Sequence, residues 1–296
     1  MVDMFEHDHH RHDARGARPL GLALWFTLGF AVVEAVTGWW SGSLALLADA
    51  GHMATDSLGL FTAFAAAQWA QRPADRQYTY GFGRVEVVAA AINALVMLGL
   101  VIAIAWGAFN RFAHPVAING AAVAVVALLG LAVNVAVFLT LRAGAQTLNV
   151  RGAMLHVIGD LLGSVAALTA GLVVWSTGWT PIDPLLSLIV CGLLLNSATR
   201  LFRDALDVML ERVPRGLDVS LVGNSMAAVA GVKGIHDLHI WTASSDTVAL
   251  SAHVVVDRLA DWDHVLPALK QHLHDAYRIE HVTLQPEPRA TPLLRT

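Results

Sequence analysis

Six long, predominantly apolar runs, each near or beyond the length of about 20 residues that carries an α-helix across a bilayer, constrain this chain more than any other feature. They extend from Leu20 to Trp40, Leu44 to Ala70, Val85 to Phe109, Ile118 to Leu141, Ala145 to Trp175 and Pro184 to Leu201. The runs are continuous rather than alternating, so they specify spanning helices whose backbone groups are satisfied within each segment, not barrel strands. The composition agrees with this reading: 56% of residues are hydrophobic and 14% charged, whereas roughly 25% are charged in soluble domains. Most of the chain is expected to sit in lipid.

The connections orient the spans. Arg11, Arg15 and Arg18 precede the first, Arg72, Arg76 and Arg84 separate the second from the third, Arg142 and Arg151 flank the fourth connection, and Arg200, Arg203 and Arg212 follow the sixth. The opposite loops hold only Arg111. Positive charge marks the cytoplasmic side, which predicts a multi-pass protein with cytoplasmic termini; the expected location is a bacterial inner (cell) membrane. No small-residue cleavage site follows the first run, so no removable leader is expected. Cys191, the one cysteine, lies in a span and reads as a small core residue, leaving neither a disulfide nor a thiolate site. No nucleic-acid partner is expected.

Past Arg203 charges return and apolar residues alternate. The predicted organisation is a His-rich tail (residues 1–18, with His7, His9, His10 and His12), a six-helix membrane domain (19–205), a soluble α+β domain (206–288) and a short tail (289–296). Within the soluble part, helices are predicted over Leu217–Val232 and Trp262–Tyr277 and strands over Ile235–Thr242, Val248–Val256 and Ile279–Gln285. Strict alternation puts Asp237, His239 and Trp241 on one face of the first strand and His236, Leu238 and Ile240 on the other.

Two of the spans share a pattern: His52 with Asp56, and His156 with Asp160. Residues at i and i+4 project from one helix face, so two such helices together offer four nitrogen and oxygen ligands, the number a tetrahedral divalent ion takes. Mere polar packing between helices is the competing reading, but ionisable groups in mid-bilayer normally mark a path or a site. Mixed imidazole and carboxylate donors favour Zn²⁺ and similar borderline ions over Mg²⁺ or Ca²⁺. Two ionised carboxylates cancel the charge of the ion, and imidazole binds metal only when unprotonated, so metal and H⁺ compete for the site. Glu34, Asn93 and Asn134 are expected to line the path or bond between helices, and Asp49 to lie in a vestibule or at a solvated helix end. Gly152, Gly159, Gly163 and Ser164, with Gly51 and Gly59, are expected to pack the two ligand helices closely.

These motifs resemble the cation diffusion facilitator family, in its zinc-exporting branch. The likeness runs through Leu47–Met53 with Asp56, Tyr78–Glu86, Asn149–His156 with Asp160, Ile182–Pro184, His236–Trp241, Leu250–Val254 and His281–Glu287. It implies six transmembrane helices, a homodimer, export from the cytoplasm in exchange for protons, and a ferredoxin-like, metallochaperone-like cytoplasmic domain. It also implies a transport site of His52, Asp56, His156 and Asp160, and a regulatory zinc site at the dimer interface with His236, His253, His264 and Glu287. This chain departs from the pattern where some members have histidine: Gln285 stands at one such position, and the 72–84 connection holds Asp75, Tyr78 and Phe82 but no histidine. Arg84 and Glu86 are expected to fasten the membrane part to the soluble domain through ion pairs.

The predicted function is therefore divalent-metal export, Zn²⁺ foremost and Cd²⁺ as a companion, by a secondary transporter rather than an enzyme. The rivals are an intramembrane metalloenzyme, disfavoured because no HExxH occurs and four ligands leave no open position, and a membrane-anchored metal sensor.

Overall fold

A computed structural model describes residues 17–143, 148–244 and 247–289; for residues 17–26, 141, 143 and 148–156 the description extends to the backbone alone. The His-rich tail lies outside the described residues. Six long helices come first: α1 (Ala17–Ser41), α2 (Leu44–Ala70), α3 (Arg84–Ala113), α4 (Gly120–Ala143), α5 (Leu148–Thr177) and α6 (Ile182–Met209). Among the described residues, α3, α4, α5 and α6 are long and apolar enough to cross a membrane by length and composition. Helix α2 is as long, but Asp49, His52 and Asp56 interrupt its apolar character. Helix α6 continues past the predicted end at Leu201, through charged residues, to Met209.

The chain divides into two units, Met1–Leu60 with Leu95–Ala198 and Phe61–Ala94 with Thr199–Thr296. In the first, the usual distribution of a soluble protein is inverted. Large apolar side chains such as Trp39, Ile102, Trp106, Val125 and Ile189 are exposed, while Ala45, Ala48, Ala127, Ala167, Glu34, Asp49 and Ser164 are buried. That is the pattern of helices that meet through small residues and present their bulk to hydrocarbon. Helix α2 lies centrally in this unit. One of its faces packs Leu44 and Ala48 against Val101 and Ile104 of α3 and Val190 and Cys191 of α6; the other packs Ala45 and Leu46 against Ala127 of α4 and Ala167 and Ala170 of α5.

The N-terminus of α2 is fastened by a residue far away in sequence. Asp183, wholly buried, accepts from Ser43 Oγ at 2.6 Å, from the Leu44 N–H at 2.7 Å and from the Ala45 N–H at 3.2 Å. Arg111 of α3 pairs with the same carboxylate at 3.2 Å and donates to the Gly42 carbonyl. Gly42 turns the chain there with φ 75°, a conformation that costs glycine little. The orphan N–H groups of a buried helix end, their dipole and a nearby guanidinium together satisfy this carboxylate.

The second unit contains a small α+β fold: α7 (Val219–Ala227), β1 (Val232–Ser244), β2 (Thr247–Val256), a 3₁₀ turn (Leu259–Asp261), α8 (Trp262–Tyr277) and β3 (His281–Pro288). The sheet order is β1-β2-β3, antiparallel for β1 with β2 and parallel for β2 with β3. Leu250, Val254 and Val256 of the central strand meet Val222 and Met226 of α7 and Val265, Leu269 and Leu273 of α8 in one core, so both helices cover one sheet face. Helix α7 is shorter than predicted: Asp218 caps it by accepting from the Ser220 and Leu221 N–H groups, and the chain turns away at Gly231 (φ 91°). Strand β3 starts after Ile279, because Arg278 ends α8 in the left-handed conformation and the Ile279 N–H bonds back to the Leu273 carbonyl. This is a helix stop that seats its following apolar residue in the core.

Candidate metal centres

In the first unit, α2 presents His52 and Asp56 on one face, and α5 brings Asp160 to them. His52 Nδ1 lies 3.3 Å from Asp56 Oδ2 and His52 Nε2 lies 3.3 Å from Asp160 Oδ1. One ligand atom from each of the three residues falls within 4.8 Å of the others, and His52 is 8% exposed. His156 stands one turn before Asp160 on α5; its side chain lies outside the described residues. A neutral imidazole carries a proton on one nitrogen and a lone pair on the other. With a carboxylate opposite each nitrogen, neutral His52 can satisfy only one of them. A proton that makes the imidazole cationic, or a metal ion ligated by these donors, can serve both carboxylates at once.

Around this trio the sequence expectations divide. Asp49 belongs to neither a vestibule nor a solvated end: it is 1% exposed and accepts from Ser164 Oγ at 3.0 Å, which in turn accepts from Asn134 Nδ2 at 3.0 Å. Asn134 thus bonds between helices, one of its two predicted roles. Glu34 is wholly buried, and among the described residues neither of its carboxylate oxygens has a hydrogen-bond partner. The small residues do not all pack as expected. A Cβ on Gly163 would come 2.5 Å from Asp49 Oδ1, so Gly163 does admit an α2 side chain onto α5. Gly51, however, faces Leu100 of α3, and a Cβ on Gly159 would meet nothing within 4 Å among the described residues. The close backbone approach lies between α5 and α4, where a Cβ on Gly171 would strike the backbone of Ala124 and Gly120.

In the second unit, Arg84 pairs with Glu211, just beyond α6, at 3.0 Å, an exposed contact of small energetic weight. Asp75 is occupied locally, accepting from the Gln77 and Tyr78 N–H groups at 2.7 Å each, and Tyr78 packs on Phe82 with ring centroids 4.7 Å apart.

The sheet face opposite the helices carries the other cluster. His236 Nε2 is 2.9 Å from Glu287 Oε2 and His253 Nδ1 is 2.8 Å from Glu287 Oε1, and the three offer ligand atoms within 4.8 Å of one another. The hydrogen bond from His236 is the largest effect holding the Glu287 carboxyl below its ordinary range; desolvation opposes it, and the hydrogen bond from His253 adds to the lowering. It therefore remains an anionic oxygen donor between two imidazoles. His264 is exposed on the first turn of α8, apart from the trio, and Gln285 sits beside His253 in the strand register.

Strict alternation fails in β1. His236 pairs with His253 and His239 with Ser251, so Asp237 and Leu238 together stand opposite one residue. This β-bulge, with Asp237 at φ 50°, shifts the register by one and turns His236 onto the same face as His239. Leu238 packs toward the core. Asp237, to which the sequence pattern assigns no metal role, lies 3.0 Å from His239 Nε2 and 3.6 Å from His253 Nε2. Nothing in the alternation signals a bulge; an acidic residue between two histidines in a strand is the only local hint.

Known proteins agree with this architecture. The profile of the cation efflux transmembrane domain matches residues 20–210 and that of the cation efflux protein cytoplasmic domain matches residues 214–289. The chain belongs to the cation efflux, or cation diffusion facilitator, family. Among relatives in this family, the zinc transporter ZitB of Escherichia coli is 41% identical over 94% of this chain and 90% of its own length. A cadmium, cobalt and zinc/H⁺-K⁺ antiporter of Bacillus velezensis is 35% identical over 96% and 92%. The solved metal-bound C-terminal domain of the CzcD transporter from Cupriavidus metallidurans is 44% identical, covering 24% of this chain and 99% of that one at a TM-score of 0.23. The protein is accordingly a multi-pass membrane transporter.

Proposed function

We propose that this cation efflux protein exports Zn²⁺ from the cytoplasm in exchange for protons, with Cd²⁺ as an additional substrate, and that His52, Asp56, His156 and Asp160 form the transport site. The observation that carries this reading is His52 between two carboxylates. Imidazole and carboxylate groups that accept either protons or a metal ion are a natural point of exchange when they open to one side and then the other. The two carboxylates neutralise a divalent ion in a low-dielectric surrounding, so transfer leaves little uncompensated charge. The relatives named above as zinc transporter and as zinc/H⁺-K⁺ antiporter share nearly the whole length of the chain. Driven this way, the protein is a secondary transporter of a bacterial inner membrane with both termini in the cytoplasm. It works as a homodimer in which His236, His253 and Glu287 hold a regulatory zinc that draws the cytoplasmic domains together; two nitrogens and an anionic oxygen suit that ion.

The decisive experiment is zinc uptake into sealed proteoliposomes under an imposed pH gradient. Wild type is expected to accumulate Zn²⁺ in response to the gradient, and Asp160→Ala to accumulate none while remaining folded and dimeric. Uptake retained by Asp160→Ala, or uptake blind to the gradient, would overturn the reading.

A further inference from the structure

The bulge in β1 has its own chemistry. Asp237 adopts a left-handed backbone at φ 50°, which asparagine and aspartate tolerate better than other side chains. Both oxygens of its carboxylate face imidazoles: Oδ1 meets His239 Nε2 at 3.0 Å and Oδ2 meets His253 Nε2 at 3.6 Å. His253 is thereby held at both nitrogens, Nδ1 toward Glu287 and Nε2 toward Asp237. Its ring also stands edge-on to that of His236, with centroids 5.1 Å apart. His239 lines an open cavity of about 570 Å³ together with Trp241 and Ser251, so this end of the row is reached from solvent.

We propose that Asp237 is the positioning carboxylate of the cytoplasmic metal site: it holds the Nε2 edge of His253 so that Nδ1 faces an ion beside Glu287, and His239 holds Asp237 in turn. The proposal rests on the reading of His236, His253 and Glu287 as metal ligands. Its physical basis is that an imidazole ligating metal through one nitrogen keeps a proton on the other, and that N–H is oriented and made more basic at the ligating atom by a carboxylate behind it. At 3.6 Å the contact is an ion-pair distance rather than a hydrogen bond. Metal at Nδ1 fixes the proton on Nε2 and draws positive charge onto the ring, which favours closing that gap. The extra residue of the bulge serves this arrangement directly: it places Asp237 beside His253 while letting Leu238 enter the core.

The test separates the carboxylate from the bulge. Asp237→Asn keeps a side chain that accepts the left-handed backbone and removes only the charge. The full-length protein, with ¹⁵N-labelled histidine and in detergent micelles, is titrated with Zn²⁺ while the ring nitrogens of His253 are followed by NMR. The His-rich tail and the membrane site do not enter this readout, because it reports from His253 itself. In wild type, Nδ1 is expected to take the shift of a metal-bound nitrogen and Nε2 to keep that of a protonated one. In Asp237→Asn the zinc midpoint should rise about 10–100-fold, with Nδ1 no longer the exclusive ligating atom and the thermal midpoint of the apo protein unchanged. His239→Gln should give a smaller rise in the same direction. An Asp237→Asn midpoint equal to wild type would overturn the buttress while leaving the metal site standing. A His253 signal that zinc does not move in wild type, or a midpoint that Glu287→Gln does not raise, would overturn the metal reading itself and the buttress with it.

Discussion

The two clusters of this protein use the same donors in opposite surroundings. In the membrane unit, His52 is 8% exposed and each of its nitrogens faces a carboxylate; on the soluble sheet, the side chains of His236 and Glu287 are 50% and 35% exposed. Water moderates the second cluster, so a missing or extra charge there is screened. The first is largely shielded from water, with the side chains of His52, Asp56 and Asp160 only 10%, 17% and 13% exposed, so an unbalanced charge costs more there. Under the proposed function, the same donor types serve exchange in one place and graded sensing in the other, according to the dielectric around them.

The largest effect follows from that contrast. His52→Ala should abolish zinc uptake at every concentration, whereas His236→Ala should leave transport in place at a lower rate and move its dependence on zinc concentration upward. Rates measured across a zinc series in proteoliposomes distinguish a vanished curve from a displaced one. If both variants erase transport, the contrast between exchange and sensing sites is wrong.

An intermediate effect concerns the support of the ligand helix. Asp183→Asn removes the charge that receives Ser43, the first N–H groups of α2 and Arg111, leaving the guanidinium without its carboxylate. Only the carboxylate of this pair is fully buried, so the loss should approach but not reach the ~3–5 kcal/mol of a wholly buried pair, and the thermal midpoint of the detergent-solubilised protein should fall accordingly. An unchanged midpoint would mean that α2 is held by its apolar faces alone.

The smallest effect is a matter of pH. Glu287 is held below its ordinary value of 4.5 in the folded domain, so its contacts with His236 and His253 contribute stability that is present above that value and is lost as pH falls through the lowered folded one. The difference in melting between wild type and Glu287→Gln should therefore be steady near neutrality and shrink on acidification below the ordinary glutamate range. A difference that grows on acidification would contradict the assigned ionisation.

Much of the fold and of both clusters is legible in the residues alone. Each of the six apolar runs forms a long helix, because an apolar run of that length leaves the backbone no alternative in lipid. The histidine and aspartate of α2 converge because four residues make about one turn. Less is legible where a residue acts on something distant or where a strand departs from its period. Asp49 reads as a helix-end or vestibule residue, yet Ser164 on α5 bonds to it in the buried interior. Gly51 and Gly159 read as contacts between the ligand helices, but helix rotation, which composition does not report, turns one toward α3 and leaves the other without a close neighbour among the described residues. His236 changes faces because a single extra residue resets a repeat of two.

Hydrophobic length, helical spacing and side-chain chemistry all act within one stretch of chain, so the segments, their type and the donor residues are written locally in the order of amino acids. Which donors share a point is settled only in three dimensions: Asp160 beside His52, Glu287 between His236 and His253, Asp183 over the start of α2 and Asp237 behind His253. Those meetings arise from packing angles and strand register, which are set by the whole set of contacts at once and leave no local trace in the residues they join.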